Sequence, residues 1–233
     1  MEFITVVPYG VLGRSLRSQK ASEPDEETAF VDPAGMHHIQ GGGPWGASGA
    51  AGANYEWLGI ADDESFPEDV VEAIQEPLQA KFHAYGERGA KKCIHVVGPD
   101  FRMKDRGFTE DDAVQELALA YSNTLREFCT SGLRKLRLLP ISGGIFSGPF
   151  KDDLPELTVR ALQAAFKQMP DAQMRHLQTC SIEMCIFMES ELDVFQSAFT
   201  PATAASEPTA AATPSAAAPE PKTAAEAADP EPA

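Results

Sequence analysis

Strand-like apolar runs alternate with helical patterns for most of the chain, which predicts a three-layer α/β sandwich. Two glycine loops sharpen that expectation. The run Leu136–Ile141 breaks into Ser142-Gly143-Gly144-Ile145-Phe146-Ser147-Gly148, and Gly41-Gly42-Gly43 follows a shorter strand-like stretch. Glycines just past a strand let backbone N–H groups turn outward with no Cβ in the way. In open α/β sheets that edge is where ligands bind, and amide dipoles alone can hold a phosphate there. Either loop alone could be a tight turn; together they describe two walls of an anion site.

The elements follow in order. Phe3–Val7 is a short β-branched run stopped by Pro8. A polar stretch follows, basic at Arg14, Arg17 and Lys20 and acidic at Glu23, Asp25, Glu26 and Glu27, and reads as a surface loop. Thr28–Val31 is a second strand; Asp32-Pro33-Ala34-Gly35 turns, and the glycine run comes after His37 and His38. From Pro44 the residues are small, so a close-packed helix is expected with proline in its first turn and Trp45 and Trp57 packing against it. Ser65-Phe66-Pro67-Glu68 opens another helix, with Val70, Val71, Ile74 and Leu78 as its apolar stripe until Pro77 ends or kinks it. Lys91–Val97 is a strand closed by Gly98-Pro99, with His95 packed in the core. Thr109-Glu110-Asp111-Asp112 caps a long helix whose apolar positions recur at helical spacing from Val114 to Phe128, with Gly132 as its stop. The opening run and loop come next, then a helix over Leu154–Met169, a strand over Ile182–Met188 and a helix over Glu189–Phe199.

A domain over residues 1–199 is therefore expected, followed by a tail over 200–233. Residues 201–233 hold 14 Ala and 7 Pro and almost nothing large and apolar, a composition that cannot offset its ordering entropy. The formal charge of −16 excludes a binder of the nucleic-acid backbone, which needs clustered Lys and Arg. It leaves room for a small phosphorylated ligand held by backbone amides. Cys93, Cys129, Cys180 and Cys185 show no CxxC pair and no zinc spacing, and read as reduced core residues. No metal or cofactor constellation is visible. Without a basic, apolar leader or an 18-residue apolar segment, a soluble intracellular monomer, cytoplasmic or nuclear, is expected, with no membrane partner.

Three blocks carry a family resemblance. They are Ala29-Phe30-Val31-Asp32-Pro33-Ala34-Gly35 with Gly41–Gly43 and Gly46-Ala47; Cys93-Ile94-His95-Val96-Val97-Gly98-Pro99; and Leu139-Pro140-Ile141-Ser142-Gly143-Gly144-Ile145-Phe146. In their order and spacing they resemble the macro domain, an ADP-ribose-binding module. The resemblance implies an α/β/α sandwich with a mixed central sheet, and ADP-ribose, free or protein-linked, as the partner. By position, the amides of Gly41, Gly42 and Gly43 and of Ser142, Gly143, Gly144, Ile145 and Phe146 would cradle the diphosphate. Phe146 would pack on the distal ribose, and Phe187 or Met188 would lie beside the adenine. The family's adenine-contacting aspartate follows a glycine in the first loop; here Val11 follows Gly10, so that carboxylate is missing or comes from Asp25 or Glu26.

Catalysis by resemblance is weaker. The family's ribose-positioning asparagine and its assisting acid fall on Gly35 and Trp45, neither of which can do that work; an indole N–H only donates. Asp32 stands as the candidate base, although an Asp before Pro also stabilises a turn. His37 and His38 offer an alternative acid–base role. The expected function is thus binding of ADP-ribose or a derivative. The alternatives are an ADP-ribosyl hydrolase or O-acyl-ADP-ribose deacylase with atypical residues, and a macro-fold scaffold with a degenerate pocket.

Overall fold

In a computed structural model that describes residues 3–15, 21–103 and 107–200, one six-stranded sheet organises the chain. Its strands are β1 (Ile4–Val7), β2 (Thr28–Pro33), β3 (Ala80–Tyr85), β4 (Lys91–Val96), β5 (Lys135–Leu138) and β6 (Ser181–Cys185). Their order across the sheet is β1-β6-β5-β2-β4-β3. All neighbours run parallel except β3, which pairs antiparallel with β4, so the sheet is mixed. The carboxyl ends of β1, β6, β5, β2 and β4 therefore share one edge.

Strand residues alternate between two cores, as the period of two requires. Ala29, Val31, Ile94, Val96, Leu136, Leu138, Ile182 and Met184 pack against α3 (Glu110–Ser131), α4 (Leu154–Gln168), α5 (Asp171–Gln178) and α6 (Glu189–Phe199). Phe30, Cys93, Val7 and Cys185 face the other way, against α1 (Gly49–Leu58), α2 (Glu68–Ala73) and the loop residues Val11 and Leu12. The expected three layers are present. α3 begins as the sequence implies: Thr109 Oγ1 accepts from the Asp112 N–H, and Asp112 Oδ2 accepts from the Thr109 N–H. It closes at Gly132, whose φ of 73° carries the chain out of the helix.

Several boundaries differ from expectation. β5 ends at Leu138 rather than running to Ile141, because Pro140 has no N–H for a ladder. The Tyr121 hydroxyl from α3 replaces that ladder, accepting from the Ile141 N–H at 3.0 Å and donating to Leu139 O at 3.3 Å. β6 likewise stops at Cys185, three residues early. The small-residue helix starts at Gly49, not Pro44, since Gly46 and Gly49 both adopt positive φ. α2 is capped by Pro67 without a side-chain bond and ends before Ile74. β3 and α5 were not expected. β3 lies at the sheet edge with no regular burial alternation, so its six residues carry little strand signal. Trp45 is 69% exposed instead of packing on a helix, whereas Trp57 does pack, edge-on to Phe30.

The four cysteines are unbonded, three buried and Cys129 partly so. No helix among the described residues is long and apolar enough to cross a membrane. Arg17 and Lys20 of the basic triplet, and residues 201–233 of the expected tail, lie outside the described residues.

Candidate functional site

Loops leaving the carboxyl edge define the candidate site. Because β5, β2 and β4 are neighbours, the segments after them, Leu139–Phe150, Ala34–Ser48 and Val97–Met103, issue side by side. Phe187 and Met188, just past β6, stand on the same edge and are 44% and 46% exposed. Gly10, after β1, packs beneath them: a Cβ there would lie 3.3 Å from Phe187 Cδ2.

The loop after β5 is held by the loop after β4. Ser142 is buried with a positive φ of 62°, a conformation costly for a residue with a Cβ. Its hydroxyl donates to Pro99 O at 2.6 Å. Gly98 makes this approach possible, since a Cβ there would meet Ile141 Cγ2 and Ser142 Oγ at 2.6 Å. Farther along, the Phe101 N–H donates to Phe146 O at 3.0 Å. Within the loop the Gly143 N–H turns inward to Pro140 O, while no acceptor among the described residues engages the N–H groups of Ser142, Gly144, Ile145 or Phe146. Gly144 and Ile145 are exposed, Ile145 at 73%.

Arg102 adds a charge that sequence patterning missed. Its guanidinium lies 4.6 Å from the centre of the half-buried Phe146 ring and is gripped at two points by Asp100. Those bonds hold the Asp100 carboxyl below the usual range. An Arg two residues after an Asp in a loop carries no motif; only the fold puts it over Phe146.

The loop after β2 takes a different form from the expected turn. Asp32 and Pro33 complete the strand, and His38–Gly42 winds into a single π-helical turn. Gly41 and Gly42 are exposed, and Gly43 is buried at a positive φ of 62°. A Cβ at Gly43 would meet the Glu64 backbone at 2.4 Å, so glycine is required there by contact as well as by φ. His38 Nδ1 donates to Gly43 O at 2.8 Å, and the His37 and His38 rings lie against each other at a tilt of 43°, centres 3.8 Å apart. Gln40 reaches away to donate to Val71 O and Ile74 O at the end of α2.

Asp32, the candidate base, is fully buried. Its Oδ1 accepts from Asn54 Nδ2 at 3.0 Å and its Oδ2 from His95 Nδ1 at 2.8 Å. With that proton on Nδ1, His95 Nε2 accepts from the Tyr85 hydroxyl at 2.7 Å. Burial, more than the nearby Cys93 and Asp32, pushes the Tyr85 phenol far up. The chain of donors ties β2, β3, β4 and α1 together beneath the loop.

Asp25 and Glu26 do not lie on the carboxyl edge. They precede β2 and so sit at the opposite, amino edge, where Asp25 accepts from Lys135 Nζ at 2.8 Å and from Thr28 Oγ1. No carboxylate takes the family's place after Gly10. The segment around Gly10 is instead secured by Arg137 of β5, a second residue that motif reading overlooked. Its Nη1 donates to Val11 O and Ser22 O at 3.1 and 3.0 Å, and its Nε to Glu183 Oε2 at 3.0 Å. Glu183 Oε1 accepts from the Tyr9 hydroxyl at 2.9 Å. Burial, helped by that bond, pushes the Tyr9 phenol up to about 12. Among the described residues no group of His, Cys, Asp and Glu could hold a metal ion.

Comparison with known proteins agrees with this architecture. Residues 71–157 match the family model of the Macro domain. An O-acetyl-ADP-ribose deacetylase of Cronobacter sakazakii (strain ATCC BAA-894) is 28% identical over 121 residues, covering 52% of this chain and 60% of that protein. The match thus spans less than two thirds of the curated relative's length. An Oceanobacillus iheyensis macrodomain solved with ADP superposes with a TM-score of 0.50 at 18% identity, over 83% of this chain and 87% of that one. A Trypanosoma brucei macrodomain in complex with ADP gives 0.52 at 13% identity, over 84% and 68%. At such identities the structural likeness concerns the fold. With its mixed six-stranded sheet the chain has the fold of these macrodomain structures, and over residues 71–157, from α2 to the start of α4, it is similar in sequence to the Macro domain family.

Proposed function

We propose that the carboxyl-edge cleft binds ADP-ribose or a derivative of it, free or linked to protein. The observation that carries this is the strained, doubly anchored loop at Ser142, which offers four N–H groups to no internal acceptor. Amide bonds to a charged oxygen contribute about 1.5–3 kcal/mol each, so four approach the ~8 kcal/mol of a micromolar complex. Gly41, Gly42 and Gly43 form the opposite wall in this assignment. Phe146, steadied by Arg102, lies against the distal ribose, and Phe187 lies beside the adenine. Calorimetric titration with ADP-ribose tests it: saturable heat is expected, and no heat with no thermal shift at millimolar ligand sinks it.

A second reading is favoured by the similarity to an O-acetyl-ADP-ribose deacetylase. In it the bound derivative is an ester of the distal ribose, and the domain hydrolyses it. Asp32 serves no role as base there, because its two oxygens are already engaged in the core.

A further inference from the structure

If Asp32 is closed off, hydrolysis needs a base elsewhere on the carboxyl edge. Asp100 is a poor candidate, since Arg102 occupies both its oxygens and keeps it ionised. Trp45 offers only a donor. His38 differs from all of these. Its Nδ1–H is committed to Gly43 O at 2.8 Å, which fixes the tautomer and leaves the lone pair on Nε2. Nε2 has no partner among the described residues, and the side chain is half-buried. The ring is braced by His37, at 3.8 Å between centres and tilted by 43°, and by the π-helical turn that His38 itself opens. Such turns recur at functional sites. Gly35 lies along the Cδ2 edge of the ring, next to Nε2: a first side-chain atom there would stand 3.5 Å from His38 Cδ2 and 3.4 Å from His37 Nδ1, in van der Waals contact with both rings.

We propose that His38 is the general base of an ester hydrolysis at the distal ribose of ADP-ribose, with Nε2 taking a proton from the attacking water. The proposal rests on the ADP-ribose assignment of the cleft. The water O–H bond breaks as its oxygen bonds to the ester carbonyl carbon, and the proton passes to Nε2. Collapse of the tetrahedral intermediate breaks the bond from that carbon to the ribose oxygen. Nε2–H returns its proton to this oxygen, which releases the carboxylic acid and ADP-ribose. His37 is in ring contact with His38, and Asp63 and Glu64 approach the turn by backbone, at Gly43.

His38→Asn separates the two nitrogens. The Asn amide N–H can still donate to Gly43 O, so the turn is kept, but the basic atom at Nε2 is gone. With O-acetyl-ADP-ribose as substrate, the wild-type protein is expected to release acetate, and His38→Asn to lose about 10²–10⁴-fold in kcat with ADP-ribose affinity unchanged. His38→Ala is expected to regain turnover when free imidazole is added, which a purely structural histidine would not. Wild-type turnover in His38→Asn, a parallel loss of ADP-ribose binding, or no rescue of His38→Ala each overturns the assignment. Binding of ADP-ribose without any acetate release overturns the hydrolysis and leaves the binding site standing, whereas no ADP-ribose binding overturns the site itself.

Discussion

Replacing Asp32 by Ala removes the acceptor shared by two buried donors, Asn54 Nδ2 at 3.0 Å and His95 Nδ1 at 2.8 Å. Asp32 and His95 are fully buried and Asn54 nearly so, so neither donor can turn to water. At about 1–3 kcal/mol per orphaned donor the expected loss is ~2–6 kcal/mol. That range brackets the ~3–5 kcal/mol for deleting one partner of a buried pair. Asp32→Asn preserves the shape. Its carbonyl satisfies one donor, and its amide N–H opposes the other unless the imidazole moves its proton to Nε2, facing the Tyr85 hydroxyl. One strained contact then costs about 1–3 kcal/mol. Urea unfolding at equal m-values measures both losses. Domain stability is ~5–15 kcal/mol, so where the Ala variant does not fold the Asn variant carries the comparison. The reasoning is refuted if Ala costs under ~1 kcal/mol. It is equally refuted if Asp32→Asn abolishes ester turnover while leaving stability intact, because Asp32 would then be a chemical group and not a core one.

Gly98→Ala drives a methyl to 2.6 Å from Ile141 and Ser142. It should cost about 1–3 kcal/mol and weaken ADP-ribose binding, whereas Gly144→Ala, with open space around it, should change stability by under ~0.5 kcal/mol; chemical denaturation and calorimetry compare them. Lys135→Gln tests the amino-edge pair. Hydrogen bonding from Lys135 lowers the Asp25 pKa from 3.8 to about 2, so its stabilisation is complete above pH 3.8 and disappears as pH falls through 2. Denaturation across that window should show wild type and variant converging at the acid end, and equal stabilities at neutral pH would remove the pair as a contributor. Trp45→Ala should leave stability within ~0.5 kcal/mol, so an affinity change in titration reports direct contact with ligand.

The long, strongly periodic elements were legible. α3 announces itself through Thr109, the apolar stripe and Gly132, and α4 and α6 through their spacing. The parallel strands were legible in position but not in length: β5 and β6 stop short of their apolar runs and β2 continues to Pro33, because an apolar run does not say where its backbone stops pairing; at Leu139 a tyrosine from α3 decides it. β3 stayed hidden because an edge strand with partly buried residues on both faces has no clean alternation. The glycine loops were legible as backbone. The side chains that equip them were not: Arg102 and Arg137 act across contacts more than 40 residues away in sequence. Asp32 stood as a candidate base through its place in the first block of the resemblance; its zero exposure and its two buried donors favour a core role.

One guanidinium in β5 holds the carbonyls of Val11 and Ser22 together. The chain between those two carbonyls is thereby pinched off at its base. Length and composition can drift within it at a closure cost that grows only logarithmically. Just outside the pinch, Gly10 packs against Phe187 and Tyr9 donates to Glu183. Residues inserted between Val11 and Ser22 are therefore expected to leave the segment beside Phe187 in place as long as Arg137 keeps both bonds.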